Sequence, residues 1–191
     1  MKRNLIFPLL AISIGCSAQK KQAGYPPNWE KDAAFQTLSP EEVKLYEQRL
    51  MRQVGDLALI PPIINTSPSD EYTYKNQDYV MSLTMEQTPG GRIWAAWIGG
   101  CDCPDAHLLA ATSDDNGETW SEPRLVIDGR SPSIPIQRSV IIGNFWTDPS
   151  GKLWLFFDQT MNHFDGRSGL WYTVCENPDD ANPVWSEPVR I

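Results

Sequence analysis

The sequence predicts an all-β protein assembled from four-stranded β-propeller blades. Two observations predict it. Gly91-Arg92-Ile93-Trp94 returns 60 residues on as Gly151-Lys152-Leu153-Trp154, and Trp120-Ser121-Glu122-Pro123 returns 65 residues on as Trp185-Ser186-Glu187-Pro188. Between these landmarks lie apolar β-formers such as Ile93-Trp94-Ala95-Ala96-Trp97-Ile98, continuous as in strands buried on both faces. A repeat of this length made only of strands is the mark of a propeller blade.

Each unit divides into four strands. The first has them at about 79–86, 92–98, 107–113 and 121–127, with Thr88-Pro89-Gly90-Gly91 as its first turn. The second has them at about 139–147, 152–158, 169–175 and 185–191, with Asp148-Pro149-Ser150-Gly151 as the turn. The blades therefore occupy residues 78–191. Propellers close with 4 to 8 blades, and an open pair leaves a long sheet edge unpaired. The expectation is the N-terminal portion of a longer protein or a truncated gene product, inactive alone.

Residues 1–18 read as a targeting segment. Lys2 and Arg3 give a positive start, and Leu5 to Ile14 is apolar but too short to span a bilayer. Two cleavage sites compete. Gly15-Cys16 resembles a lipobox, which would make Cys16 a lipidated N-terminus; the alternative is ordinary cleavage after Ala18. Both export the chain, to the periplasm, an outer-membrane anchor or the medium. Residues 19–77 form a lead-in. Its capping pattern Ser39-Pro40-Glu41-Glu42 opens a helix over about 40–54, and residues 55–77 look irregular.

Composition bounds the partners. The 191 residues carry a formal charge of −8, which argues against nucleic acid. With 8 Trp, 6 Tyr and 6 Phe the composition is globular rather than disordered. After export an odd three cysteines remain, Cys101, Cys103 and Cys175, so at least one thiol stays unpaired within the chain. Cys101-Asp102-Cys103 lacks the spacing of a structural zinc site. It reads as small residues in a tight loop, and neither metal nor cofactor is expected.

One motif is sharp. Ser113-Asp114-Asp115-Asn116-Gly117-Glu118-Thr119-Trp120 matches the Asp box, Ser-x-Asp-x-Gly-x-Thr-Trp. Asp115 can accept bonds from backbone N–H groups of its own turn, Gly117 supplies a backbone angle closed to bulkier residues, and Trp120 is expected to bury its ring between sheets. Ser113, Asp115, Gly117, Thr119 and Trp120 thus form a structural set. In the second unit only the closing Trp185-Ser186-Glu187-Pro188 is kept.

The box, with the text around Asn144-Phe145-Trp146-Thr147-Asp148-Pro149 and Leu153-Trp154-Leu155-Phe156-Phe157-Asp158-Gln159, resembles bacterial members of the sialidase superfamily over residues 81–191. That resemblance implies a six-bladed ring with two blades present here. It also implies exo-acting removal of a terminal sialic acid or related acidic sugar from a glycan.

Strand alternation sorts the loops. The first turns and the Asp box lie at one end of the blades, and the loops 99–106, 128–138 and 159–168 at the other, where the resemblance places the site. Asp102 and Asp105 are the candidates for the proton donor that the resemblance implies. Arg138 opens the innermost strand of the second blade, where its planar fork suits a carboxylate. Asp158, Gln159, His163, Asp165 and Arg167 complete the candidate substrate contacts. The superfamily's first-strand arginine is replaced by Tyr79-Val80-Met81-Ser82, and its Tyr–Glu nucleophile pair would come from later blades. A non-catalytic carbohydrate-binding propeller is the alternative.

Overall fold

The computed structural model describes residues 39–41, 45, 57–131, 134, 137–161 and 168–191. The leader with Cys16 lies outside the described residues, as do His163, Asp165 and Arg167 and most of the expected helix, of which Pro40, Glu41 and Leu45 are helical.

The chain is all-β, with two antiparallel sheets. The first contains β1 (Ile63–Asn65), β2 (Met81–Gln87), β3 (Ile93–Gly99), β4 (His107–Ser113) and β5 (Leu125–Asp128), in the order β1-β5-β4-β3-β2. The second contains β6 (Arg138–Thr147), β7 (Leu153–Met161), β8 (Ser168–Cys175) and β9 (Val189–Arg190), in sequence order. Strand β1 arises from a stretch expected to be irregular. It is three residues long, pairs Ile64 with Ile127, and adds a fifth strand beyond β5.

The fourth strands are shorter than expected. In place of 121–127 and 185–191, pairing begins at Leu125 and Val189, apart from a single bridge between Trp185 and Cys175. Pro123 and Pro188 lie just before these starts and offer no N–H to a ladder.

The sheets face each other across one core. Trp94, Ala96, Leu108, Ala110 and Leu125 of the first meet Val140, Phe145, Leu155, Phe157 and Trp171 of the second. Trp94 is fully buried, lies edge-on to Trp185 at 5.4 Å and Phe145 at 6.2 Å, and donates Nε1–H to Pro178 O at 3.1 Å. Trp120, expected to be buried between sheets, is instead 37% exposed. Trp185 holds that position against Trp94; no sheet of the described chain lies on the corresponding side of the first sheet.

Beside Trp94, Arg92 ties the sheets together. Its Nε donates to Asp114 Oδ1 at 2.6 Å, and its Nη1 to the carbonyls of Pro178 at 3.1 Å and Asp180 at 2.6 Å. Asp179 accepts from Gly90 N at 3.0 Å and from Thr88 Oγ1. The repeat extends to backbone irregularities. Bulges interrupt β2 between Met81 and Thr84 and β6 between Ile141 and Asn144, with Ser82 at φ 53° and Ile142 at φ 52°.

The Asp box is a closed hydrogen-bonded turn. Ser113 Oγ donates to Asp115 Oδ1 at 2.8 Å and accepts from Gly117 N at 2.8 Å. Asp115 also accepts from Thr119 N at 2.9 Å and Thr119 Oγ1 at 2.5 Å. Gly117 takes φ 87°, the left-handed angle expected of it. Hydrogen bonds from Thr119 and Ser113 hold the Asp115 carboxyl down to about 2. Cys101 and Cys103 form a disulfide, and among the described residues Cys175 is the free cysteine, buried.

Three outcomes follow for the purified chain. Trp94→Ala should cost about 3–5 kcal/mol in urea unfolding followed by tryptophan fluorescence. Arg92→Met should cost about 1–2 kcal/mol, because it removes the hydrogen bonds to Pro178 O, Asp180 O and Asp114 that cross or brace the join, while Lys152→Met, whose partner Glu176 is exposed, should leave the midpoint nearly unchanged. The depressed Asp115 carboxyl stabilises the fold above its ordinary value of 3.8, and that contribution is lost as pH falls toward about 2. The thermal midpoint of the wild type should therefore drop more steeply from pH 4 to pH 2 than that of Asp115→Asn.

Candidate functional site

Antiparallel pairing brings the β3–β4 loop (100–106) and the β5–β6 connection (129–137) to the end of the sheets opposite the Asp box. The two are joined there. Val140 N donates to Ala106 O at 2.9 Å, and Gln137 Nε2 donates to Asp105 Oδ1. Asp105 is half-buried, whereas Asp102 is exposed in the three-residue loop closed by the Cys101–Cys103 disulfide. Of the two candidate proton donors, Asp105 is therefore the one fixed next to the start of β6.

Arg138 opens β6 as expected, but it is buried, at 2% exposure. Its Nε donates to Gly129 O at 2.9 Å and its Nη1 to Ile60 O at 2.6 Å. Burial pulls its pKa below the ordinary arginine value, and nearby Asp128 partly offsets this. Gln159 is buried as well. Its Nε2 donates to the same Ile60 carbonyl at 3.0 Å and to Ala58 O at 3.4 Å, and its Oε1 has no partner.

Asp158 was expected to end a strand and Gln159 to open a loop, but β7 continues through Met161 and makes both of them interior strand residues. Adjacent strand residues face opposite ways. Gln159 pairs with Val140, which packs in the core shared with the first sheet, and Asp158, partly exposed, pairs with Ile141 at the edge of the bulge. Burial raises the Asp158 carboxyl. Arg138 and Gln159 thus meet, Asp105 meets Gln137, and Asp158 stands apart.

A cavity of about 530 Å³ opens beside the connection, lined by Asn65, Glu71, Tyr72, Asp128, Arg130 and Gln137 among others. Arg130 Nε reaches both Asp128 oxygens, at 3.0 and 2.8 Å, and Tyr72 OH donates to Asp128 Oδ2 at 2.8 Å. Burial and the bond to Asp128 push the Tyr72 phenol up to about 12. Burial acts to raise Asp128, but the hydrogen bonds from Arg130 and Tyr72 outweigh it and leave the carboxyl below its ordinary value. Sequence reasoning missed Tyr72, which sits in a 3-10 turn (Asp70–Tyr72) of the lead-in without motif or periodicity. His107 packs edge-on against Tyr72 at 5.2 Å, with Nδ1 3.2 Å from Asp105 O, and burial lowers its pKa.

Chemically, this face offers the Asp105 carboxylate held by Gln137 and the buried guanidinium of Arg138. The Asp128 carboxylate is already saturated by Arg130 and Tyr72. No protein-family model and no curated protein matches the chain.

The connection allows little change. A Cβ on Gly129 would lie 2.4 Å from Arg138 O. Gly129→Ala should therefore lower stability by about 1–3 kcal/mol through overpacking, readable in urea unfolding. Gly91→Ala, where a Cβ meets no atom within 4 Å but φ is 94°, separates this steric cost from backbone strain.

Proposed function

We propose that this chain belongs to an exported glycoside hydrolase of the sialidase superfamily, which removes a terminal sialic acid or related acidic sugar from glycans. One observation carries the reading. The Gln137–Asp105 bond fixes a carboxylate at the end of the sheets where Arg138 opens β6, opposite the Asp-box turn. A proton donor and a carboxylate-reading arginine on one face are what cleavage of an acidic glycoside requires. Asp105 serves as the acid, and Arg138 with Gln159 reads the sugar. The leader 1–18 exports the protein, with Cys16 as its lipid anchor.

The six-bladed form of this reading rests on the far face of the second sheet. Trp154 occupies the position in its repeat that Trp94 has in the first, and Phe156 and Tyr172 extend the same face. Trp154 stacks on Phe156 at 6.0 Å and touches Tyr172 at 5.1 Å, and Trp146 beside them is 49% exposed. Aromatic rings presented this way suit a further sheet packed as the second packs on the first.

A non-catalytic glycan-binding propeller is the second reading. The saturation of Asp128 favours it, since that carboxylate is bonded to Arg130 and Tyr72 and is not free to act with Asp105. Assays on an aryl α-sialoside, aryl uronides and neutral aryl glycosides, beside natural sialosides, decide between the two. The hydrolase reading expects acidic glycosides to turn over. Asp105→Asn should cut turnover about 10²–10⁴-fold on poor leaving groups, with a smaller loss on activated aryl substrates and a smaller effect from Asp102→Asn. Glycan binding without turnover on any substrate would move the conclusion to the binding module.

A further inference from the structure

Arg138 and Gln159 approach the chain from β6 and β7, and both aim at one atom. Arg138 Nη1 lies 2.6 Å and Gln159 Nε2 3.0 Å from the carbonyl oxygen of Ile60. Both side chains are at most 2% exposed. Burying a guanidinium is costly without a counter-charge, yet among the described residues no carboxylate pairs with Arg138. Asp128, the acid whose field reaches it, is bonded to Arg130 and Tyr72. The acceptors that Arg138 has, Gly129 O and Ile60 O, are neutral.

The segment that supplies Ile60 is thinly held. Leu59 is 51% exposed and Ile60 41% exposed, so their side chains bury little against the sheets. Within the segment, Ile60 N reaches Leu57 O at 3.3 Å. The chain is anchored again only at buried Pro62 and β1. Among the described residues, the three hydrogen bonds from Arg138 and Gln159 are the polar contacts that tie 58–60 to the second sheet.

We infer that residues 57–60 are an internal ligand of the Arg138–Gln159 pair, and that once they are displaced the pair binds the carboxylate of a hydroxylated acid. This rests on the acidic-sugar reading above and adds its regulation. A carboxylate would supply the charge that a carbonyl lacks and a second oxygen for the guanidinium fork. The hydroxyl follows from Gln159 Oε1, buried and without a partner, which can accept one donor from the ligand. The lead-in competes with substrate, and its release opens the site.

The test uses the full chain with a specific protease sequence inserted between Ile60 and Pro61. Modification of Arg138 by phenylglyoxal, read by mass spectrometry, reports exposure without reference to any sugar. In the uncut protein Arg138 should be protected. After cutting, its labelling should rise at least tenfold, with tryptophan fluorescence unchanged. N-Acetylneuraminic acid should then restore protection, and its methyl ester should not. Continued protection of Arg138 in the cut, folded chain overturns the inference. Should the cut chain unfold, the uncut triple variant Leu57→Gly, Leu59→Gly, Ile60→Gly takes its place: faster labelling supports the inference and unchanged labelling overturns it. If cutting exposes Arg138 but no sugar acid, N-acetylneuraminic acid or uronic acid, protects it, the internal-ligand role stands and the acidic-sugar reading falls.

Discussion

Arg92 and Trp94 lie two residues apart on one strand face, and the join between the sheets depends on them. Trp94 fills the gap with a ring that meets Phe145 and Trp185, and its indole N–H is satisfied by Pro178 O. Arg92 takes the next layer out and reaches Pro178 O and Asp180 O across the gap, while Asp114 of its own sheet balances its charge. Asp179 completes the contact by accepting from Thr88 and Gly90. Loop 177–184, which no longer spells an Asp box, is thereby fixed through its backbone carbonyls. Carbonyl recognition explains why the second box can lose its side-chain pattern while the interface survives.

The repeat shows what this contact requires. Lys152 and Glu176 stand where Arg92 and Asp114 stand one unit earlier, and they pair at 2.6 Å, but on the surface. Lysine in place of arginine keeps the intra-sheet pair without the fork needed to hold a second sheet's carbonyls. The tryptophans follow the same logic. Trp94 and Trp185 are buried together, while Trp120 stays exposed on the near side and Trp146 on the far side. Equivalent residues thus differ in burial according to which side carries a neighbouring sheet.

Much of this architecture is legible in the sequence because it is written in period and turn chemistry. Strands β3, β4, β7 and β8 come from apolar runs bounded by turn residues, and the Asp box closes with the partners that its spacing implies. Strand β1 escapes such reading, since three residues carry no alternation and pair only because β5 offers a free edge. The site is less legible for the same kind of reason. Arg138 and Asp105 can be placed at one end of the sheets from strand parity alone. That the Arg138 guanidinium ends on Ile60 and Gly129, or that Tyr72 meets Asp128 across 56 residues, depends on how the lead-in folds back. The strand was expected to stop at 158 and runs three residues further, so Gln159, expected on a loop, is a strand residue that faces the opposite way from its neighbour Asp158.

The bulge in β6 ties the fold to the site. From Ile141 to Asn144 the strand advances three residues, while β7 advances two, from Asp158 to Phe156. One extra residue inverts strand parity. Phe145, Val140 and Arg138 all face the first sheet: Phe145 pairs with Leu155, Val140 with Gln159 and Arg138 with Met161. Without the extra residue, a strand that kept Phe145 in the core would turn Val140 and Arg138 to the far side, beside Asp158. The angle at Ile142, φ 52° on a β-branched residue, costs on the order of 1–3 kcal/mol. It persists because regular pairing on both sides determines it. The matching bulge at Ser82 interrupts β2 in the same way, but β2 begins at Met81, the counterpart of Ile141, and Asp78, 60 residues before Arg138, lies outside the strand. In the second sheet the strand runs on through Val140, Ser139 and Arg138 beyond the bulge, and arginine at that inward-turned start makes it a candidate binding position.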